Sequence, residues 1–179
     1  MLDKSKLPSF EPKETESVKE IPENFLVDGY LSLTAEGQWL FKGDKIEHKG
    51  IQLFLSKQLQ RTKEGSYWVV NGPQRVFVEL EDAPFIVVYV RITNDRLELF
   101  LNDGVFEYLD PTTLYVNEED ILYGLVKKGQ AGAASDEGHR ARFSREAVFQ
   151  LEPFLQESNE QIGLKINNIF YPIDGSFGE

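Results

Sequence analysis

Three carboxylates crowd one short stretch of this chain. Glu79, Glu81 and Asp82 lie within Arg75 to Val90, which reads RVFVELEDAPFIVVYV. Oxygen ligands in that number can hold a divalent cation, or accept hydrogen bonds from a ligand's amino or ribose hydroxyl groups. They can equally form a solvated strand end, with Asp82 bonding nearby turn amides. Opposite them in charge stand Arg75, Arg140, Arg142 and Arg145, a compact basic set in an acidic chain. Arg140 and Arg142 share one strand face at period two. A guanidinium fork suits a phosphate or a carboxylate. The same forks can instead close on the Glu81-Asp82 corner and lock two halves of the protein together. The two readings are compatible if a ligand and the corner compete for the arginines.

Trp39 and Phe41 lie on one strand face, where aromatics either stack on a base or fill a core. His48 and His139 are far apart, lack metal-ligand spacing and read as surface or structural histidines. No G-x-S-x-G, P-loop, G-x-G-x-x-G or H-E-x-x-H run occurs. Gly129-Gln130-Ala131-Gly132 lacks the Lys-Ser/Thr of a phosphate loop and reads as a flexible connection.

The background is globular. Hydrophobic residues make up 41% of the 179 and charged residues 27%, enough for a real core. The net charge of −11 repels nucleic-acid backbones and anionic membranes, so binding of long DNA or RNA is not expected. With no Cys there is no disulfide, thiolate metal site or thiol nucleophile. That usage, with no membrane-length apolar window and no leader-like N-terminus, gives a cytoplasmic expectation.

The elements that must position these residues follow from period and punctuation. Residues 1–24 alternate Lys and Glu around three prolines and read as a flexible arm, with Leu7 and Phe10 as its only anchors. Gly29–Thr34 and Gln38–Lys42 read as a hairpin about Ala35-Glu36-Gly37. Ile51, Phe54, Leu55 and Leu59 recur at helical spacing, predicting a helix from Gly50 to about Arg61. Ser66–Val70 and Gln74–Leu80 form a hairpin around Asn71-Gly72-Pro73. Phe85–Val90 is apolar on both faces and reads as a strand covered on both sides. Pro84 has no amide proton and a fixed φ, so the ladder must break between Leu80 and Phe85, which suggests a hinge. Leu97–Leu101, Val105–Tyr108, Leu114–Val116, Ile121–Val126 and Arg140–Phe143 are further strands. Lys128–Gly138 is a loop, and Ser144 caps a helix that Pro153 interrupts. Ile162–Ile166 and Ile169–Ile173 close the chain as a hairpin. Element order suggests β-β-α-β-β at both ends of the chain.

The runs Gly37-Gln38-Trp39-Leu40-Phe41-Lys42-Gly43, Leu53-Phe54, Gly65-Ser66-Tyr67, Glu81-Asp82-Ala83-Pro84-Phe85 and Ala141-Arg142-Phe143-Ser144-Arg145 together resemble the bacterial domain-of-unknown-function family 1285 (DUF1285). The resemblance implies two closely packed lobes with duplicated motifs, the second pleckstrin-like. It also implies a cleft between them for a nucleotide-like ligand, and a role in signal transduction linked to oxidative stress. The chain departs from the pattern in its Gly/Ala loop and its long polar arm.

The expectation is therefore an α+β protein: an arm at 1–24, an N-terminal lobe at 25–83 and a C-terminal pleckstrin-like lobe at 84–179. Function is expected to be non-enzymatic, a sensor or adaptor for a small anionic ligand. Trp39, Lys42, Arg75, Glu81, Asp82, Pro84, Phe85, Arg140 and Arg142 are its candidate contacts. No catalytic residue, metal or cofactor is expected. A protein-interaction module and a metal-dependent hydrolase are the alternatives.

Overall fold

The computed structural model describes residues 30–93, 95–129, 137–158 and 160–175. The arm at 1–24 and residues 130–136 of the expected loop lie outside the described residues.

The fold is α+β with two lobes, each built on a six-stranded sheet. The first comprises β1 (Leu31–Leu33), β2 (Trp39–Phe41), β3 (Asp44–Lys45), α1 (Lys49–Lys57), β4 (Leu59–Arg61), β5 (Tyr67–Asn71) and β6 (Gln74–Leu80). Its strand order is β3-β2-β1-β6-β5-β4, with β1 and β6 parallel at the centre. The second sheet comprises β7 (Phe85–Thr93), β8 (Arg96–Leu101), β9 (Phe106–Tyr108), β10 (Tyr115–Val116), β11 (Leu122–Val126) and β12 (His139–Phe143). Its order is β10-β11-β12-β7-β8-β9, with β7 and β12 parallel at the centre. The two sheets thus share one topology: a three-stranded meander runs outward, the chain crosses over, and a second meander returns to the middle. Helix α1 makes the crossing in the first lobe; a single 3-10 turn, Pro111–Thr113, does so in the second. After β12 come α2 (Arg145–Leu151) and a small sheet of β13 (Leu155–Ser158), β14 (Gln161–Ile166) and β15 (Ile169–Pro172).

The repeat seen in the sheets therefore spans β1–β6 and β7–β12. Element order alone framed it later, at Ile121, because β11-β12-α2 followed by a hairpin mimics the first lobe's sequence of elements. Pairing separates the two cases: the strands after α1 rejoin their sheet, whereas β13–β15 form a sheet of their own.

Each lobe has its own core. Leu31, Leu33, Trp39, Ile46, Leu55, Leu59, Val69 and Val78 fill the first. In the second, Val87, Val90, Leu97, Leu99 and Leu101 meet Ala147 and Leu151 of α2 and Leu164 of β14. Burying such side chains is the dominant favourable term, worth about 1.5–3 kcal/mol for each large aliphatic.

Two local expectations are corrected. The helix ends at Lys57, and Leu59–Arg61 is strand β4, paired Leu59↔Val69 and Arg61↔Tyr67. Leu59 fits the helical period, but the ladder with β5 takes its backbone. Strand β7 is covered on both faces only at its start. A register shift between Val87 and Tyr89 turns both Val88 and Tyr89 outward, 41% and 44% exposed. Beyond Phe143, β12 no longer flanks β7, and α2 caps the open edge. Ser144 donates from its Oγ to the Val88 carbonyl, and the Gln150 Oε1 accepts from the Val90 amide.

Between Leu80 and Phe85 the chain leaves the first sheet and enters the second. The lobes meet closely near this corner. Gly37, at φ +79, turns the β1–β2 hairpin against the second lobe, and a Cβ there would lie 2.6 Å from Ile86 Cγ1. On the same junction, the Tyr67 hydroxyl sits 3.1 Å from His139 Nδ1.

Candidate functional site

Strand β12 alternates, so His139, Ala141 and Phe143 are buried while Arg140 and Arg142 point to the opposite face. Antiparallel pairing sets Arg142 beside Tyr123 of β11, and Tyr123 beside Tyr115 of β10. The two tyrosine rings stack, with centroids 5.3 Å apart. The Arg140 guanidinium lies over the Tyr123 ring at 5.1 Å.

All three donors converge on one carboxylate. Arg140 Nη2 lies 2.9 Å from Asp82 Oδ1 and 3.0 Å from the Asp82 carbonyl oxygen. Arg142 Nη1 reaches Asp82 Oδ2 at 3.1 Å, and the Tyr123 hydroxyl donates to the same oxygen at 2.8 Å. Burial first, and then the hydrogen bond to Asp82, push the Tyr123 phenol up to about 12, so it stays a proton donor at neutral pH. The neighbouring Glu81 faces the other lobe, its Oε2 accepting from the Ala35 amide at 3.1 Å.

These groups line an open cleft of about 750 Å³ at the lobe junction. Ala35 is the first lobe's contribution; Glu81 and Asp82 come from the corner. Val116, Asn117, Glu118, Glu119, Tyr123, Arg140 and Arg142 come from the second sheet and its loops. Asn117 shapes the loop before β11 by accepting from the Glu119 and Ile121 amides. The cleft holds two guanidinium groups, four carboxylates and a phenol. Such a mixture suits a ligand with one anionic group and several hydrogen-bond donors better than a polyanion.

Of the nine candidate contacts, Glu81, Asp82, Arg140 and Arg142 come together here. The other five sit elsewhere. Trp39 is 1% exposed in the first core, its indole N–H donating to Ser56 Oγ at 2.9 Å. Lys42 lies in the β2–β3 turn, its ammonium over the Phe41 ring. Arg75 donates to the Gly72 and Gln74 carbonyls in the β5–β6 turn. Pro84 is buried. Phe85 is core, edge-on to His139 at 5.5 Å and beneath the Lys127 ammonium at 5.1 Å. Glu79 is exposed on β6, the solvated reading. Among the described residues no three His, Asp or Glu converge as a metal set.

Tyr123 and the Asn117-Glu118-Glu119 loop escaped the sequence reading. The usable signal was the apolar–polar alternation that faces Arg140 and Arg142 outward, which requires a neighbouring strand to present residues on that same face. His139 is the structural histidine its isolation suggested. Burial first, then the positive charges of Arg61 and Lys127, lower it to about 4, so it is neutral at pH 7. No helix among the described residues is long and apolar enough to cross a membrane.

Comparison with known proteins returns only uncharacterised families. A family model designated DUF2944, described as Protein of unknown function (DUF2946), matches residues 15–168. A DUF1285 family protein from Silicibacter pomeroyi DSS-3 superposes with a TM-score of 0.60 at 18% identity, covering 79% of this chain and 78% of that one. A second, from Shewanella baltica OS155, gives 0.54 at 19%, covering 70% and 92%. At these identities the likeness shows a shared two-lobed fold, the architecture that the DUF1285 resemblance implied. No curated protein matches the sequence.

Proposed function

The chain belongs to the DUF2944 family of unknown function, and from that premise we propose that it is a ligand-binding protein whose cleft takes a small anionic molecule. The observation that carries this reading is the convergence of Arg140, Arg142 and the Tyr123 hydroxyl in an open crevice where the lobes join. The ion pair opens onto about 750 Å³ of space rather than lying sealed in either core. Arg140 and Arg142 bind the anionic group, and the Tyr123 ring walls the crevice. Glu81, Glu118 and Glu119 accept from hydroxyl or amino groups. A nucleoside monophosphate satisfies all of these, whereas a triphosphate sets too much negative charge among the carboxylates.

The role is that of a sensor or adaptor. The lobes are assigned to residues 25–83 and 84–179, supported by the chain's passage from sheet to sheet between Leu80 and Phe85. The test is thermal stabilisation by a panel of nucleotides and divalent cations. A shift with monophosphates that Arg142→Ala removes supports the reading; metal-dependent turnover lost in Asp82→Asn would favour the hydrolase instead.

A specific feature favours a second reading, a protein-interaction module of pleckstrin-like type. The outer face of β7-β8-β9 leaves Val88, Tyr89, Phe106 and Tyr108 between 41% and 44% exposed. Arg91 and Arg96 lie over the Phe106 and Tyr108 rings at 4.4 and 4.5 Å. Aromatics with arginine are the composition of binding hot spots. Absence of any nucleotide shift, with a partner captured by the wild type and lost in Tyr89→Ser/Phe106→Ser, is the outcome that selects it.

A further inference from the structure

We propose that Asp82 is a tethered competitor for the cleft: its carboxylate fills the seat of the ligand's anionic group, and ligand entry releases the corner that joins the lobes. The inference rests on the anion-site reading above and adds its regulation.

The donors and the acceptor come from different parts of the fold. Arg140, Arg142 and Tyr123 belong to paired strands of the second sheet, where the ladder and the ring contacts hold them in place. Asp82 belongs to the segment between Leu80 and Phe85, which is in no strand. Three donors on one carboxylate, two of them guanidinium groups, form the arrangement that a phosphate monoester would receive. Asp82 is thus a protein carboxylate standing where a ligand's oxygens fit, and only its own short segment must move for it to leave.

Asp82 and Glu81 together clamp the corner to both lobes. Glu81 holds the first through the Ala35 amide; Asp82 holds the second through its side chain and its carbonyl, both accepting from Arg140. Displacing the Asp82 carboxylate reduces the second of these clamps to the carbonyl bond with Arg140. Ligand occupancy is thereby coupled to the freedom of Glu81–Pro84, the covalent link between the sheets. A competitor carried on the same chain acts at high effective concentration, so the apparent ligand affinity falls by the fraction of molecules with the seat open.

The test is calorimetric titration at fixed ionic strength, with adenosine monophosphate and inorganic phosphate as separate probes. It uses wild type, Asp82→Asn, and Asp82→Asn/Arg142→Ala. Asparagine keeps the shape and removes the charge. Asp82→Asn is expected to bind about tenfold tighter than wild type, and the added Arg142→Ala to abolish the gain. Tightening with both probes assigns the seat to the phosphate alone; tightening with adenosine monophosphate only assigns it to the whole nucleotide. Wild-type binding with no tightening in Asp82→Asn overturns the gating and leaves the anion site standing. No binding by either protein at millimolar probe overturns the anion site, and the gating falls with it. If Asp82→Asn does not fold, hydrogen exchange of wild type decides. Saturating adenosine monophosphate should speed exchange at the Ala83 and Phe85 amides, and unchanged or slower exchange there contradicts the release.

Discussion

Tyr67 on β5 and His139 on β12 meet across the lobe junction in a hydrogen bond, with 3.1 Å between the phenol oxygen and Nδ1. Their rings are tilted at a centroid separation of 5.8 Å. Burial raises the Tyr67 phenol above its usual range and depresses the imidazole, so a neutral phenol meets a neutral ring.

Stability should therefore fall with acid. An unfolded His139 takes its proton at its ordinary value near 6.5, while the folded one resists until about 4. Between those values the unfolded chain binds more protons, so stability rises with pH there and is lost as pH falls. The positive charges of Arg61 and Lys127 supply part of that resistance. The half-buried Glu107 works the other way: desolvation raises its carboxyl, so the stability it contributes is lost as pH rises through its own range. After allowing for solvent screening, His139 contributes about 1–2 kcal/mol to the stability change across this window. Urea denaturation of wild type and His139→Gln across this window should show that component of the slope only in wild type.

Gly37 sets how closely the lobes approach. Its positive φ and the 2.6 Å approach to Ile86 leave no room for a side chain. Gly37→Ala should destabilise by about 2–3 kcal/mol, through left-handed strain and displacement of Ile86. Gly43 has the same sign of φ but no heavy atom within 4 Å, so Gly43→Ala should cost only the backbone part, about 1 kcal/mol. Paired denaturation curves check the difference.

Lys127 and Asp103 form a buried ion pair at 2.5 Å, with side chains 11% and 3% exposed. Lys127→Met strands the carboxylate and should cost about 3–5 kcal/mol. Adding Asp103→Asn should restore much of that, because the amide oxygen can still accept from the Val105 amide, as Asp103 Oδ1 does. A double-mutant cycle measured by thermal melting reads the coupling.

The strands were legible where sequence period and turn chemistry agreed. Asn71-Gly72 marks the β5–β6 turn, Pro84 the passage between sheets, and Ser144 the start of α2, where its Oγ accepts from the Ala147 amide. Leu59 misled because one residue can satisfy a helical period while its backbone joins a ladder. Val88 and Tyr89 looked buried because a bulge, which no composition announces, turns two successive residues outward. The arginine–aspartate pair was legible as charge and strand face. Tyr123 was not, because it reaches the cleft only through the register of β11 against β12, a long-range pairing. Trp39 and Phe85, expected among the contacts, fill the cores instead, the commoner place for an aromatic.

The most direct test of the anion cleft is amide chemical-shift mapping of the wild-type protein titrated with adenosine monophosphate. The account predicts saturable shifts at Asn117, Glu119, Tyr123, Arg140 and Arg142, all absent in Arg142→Ala. Shifts confined to Tyr89, Phe100 and Phe106 on the far part of the second sheet, or no shifts at millimolar ligand, would contradict it.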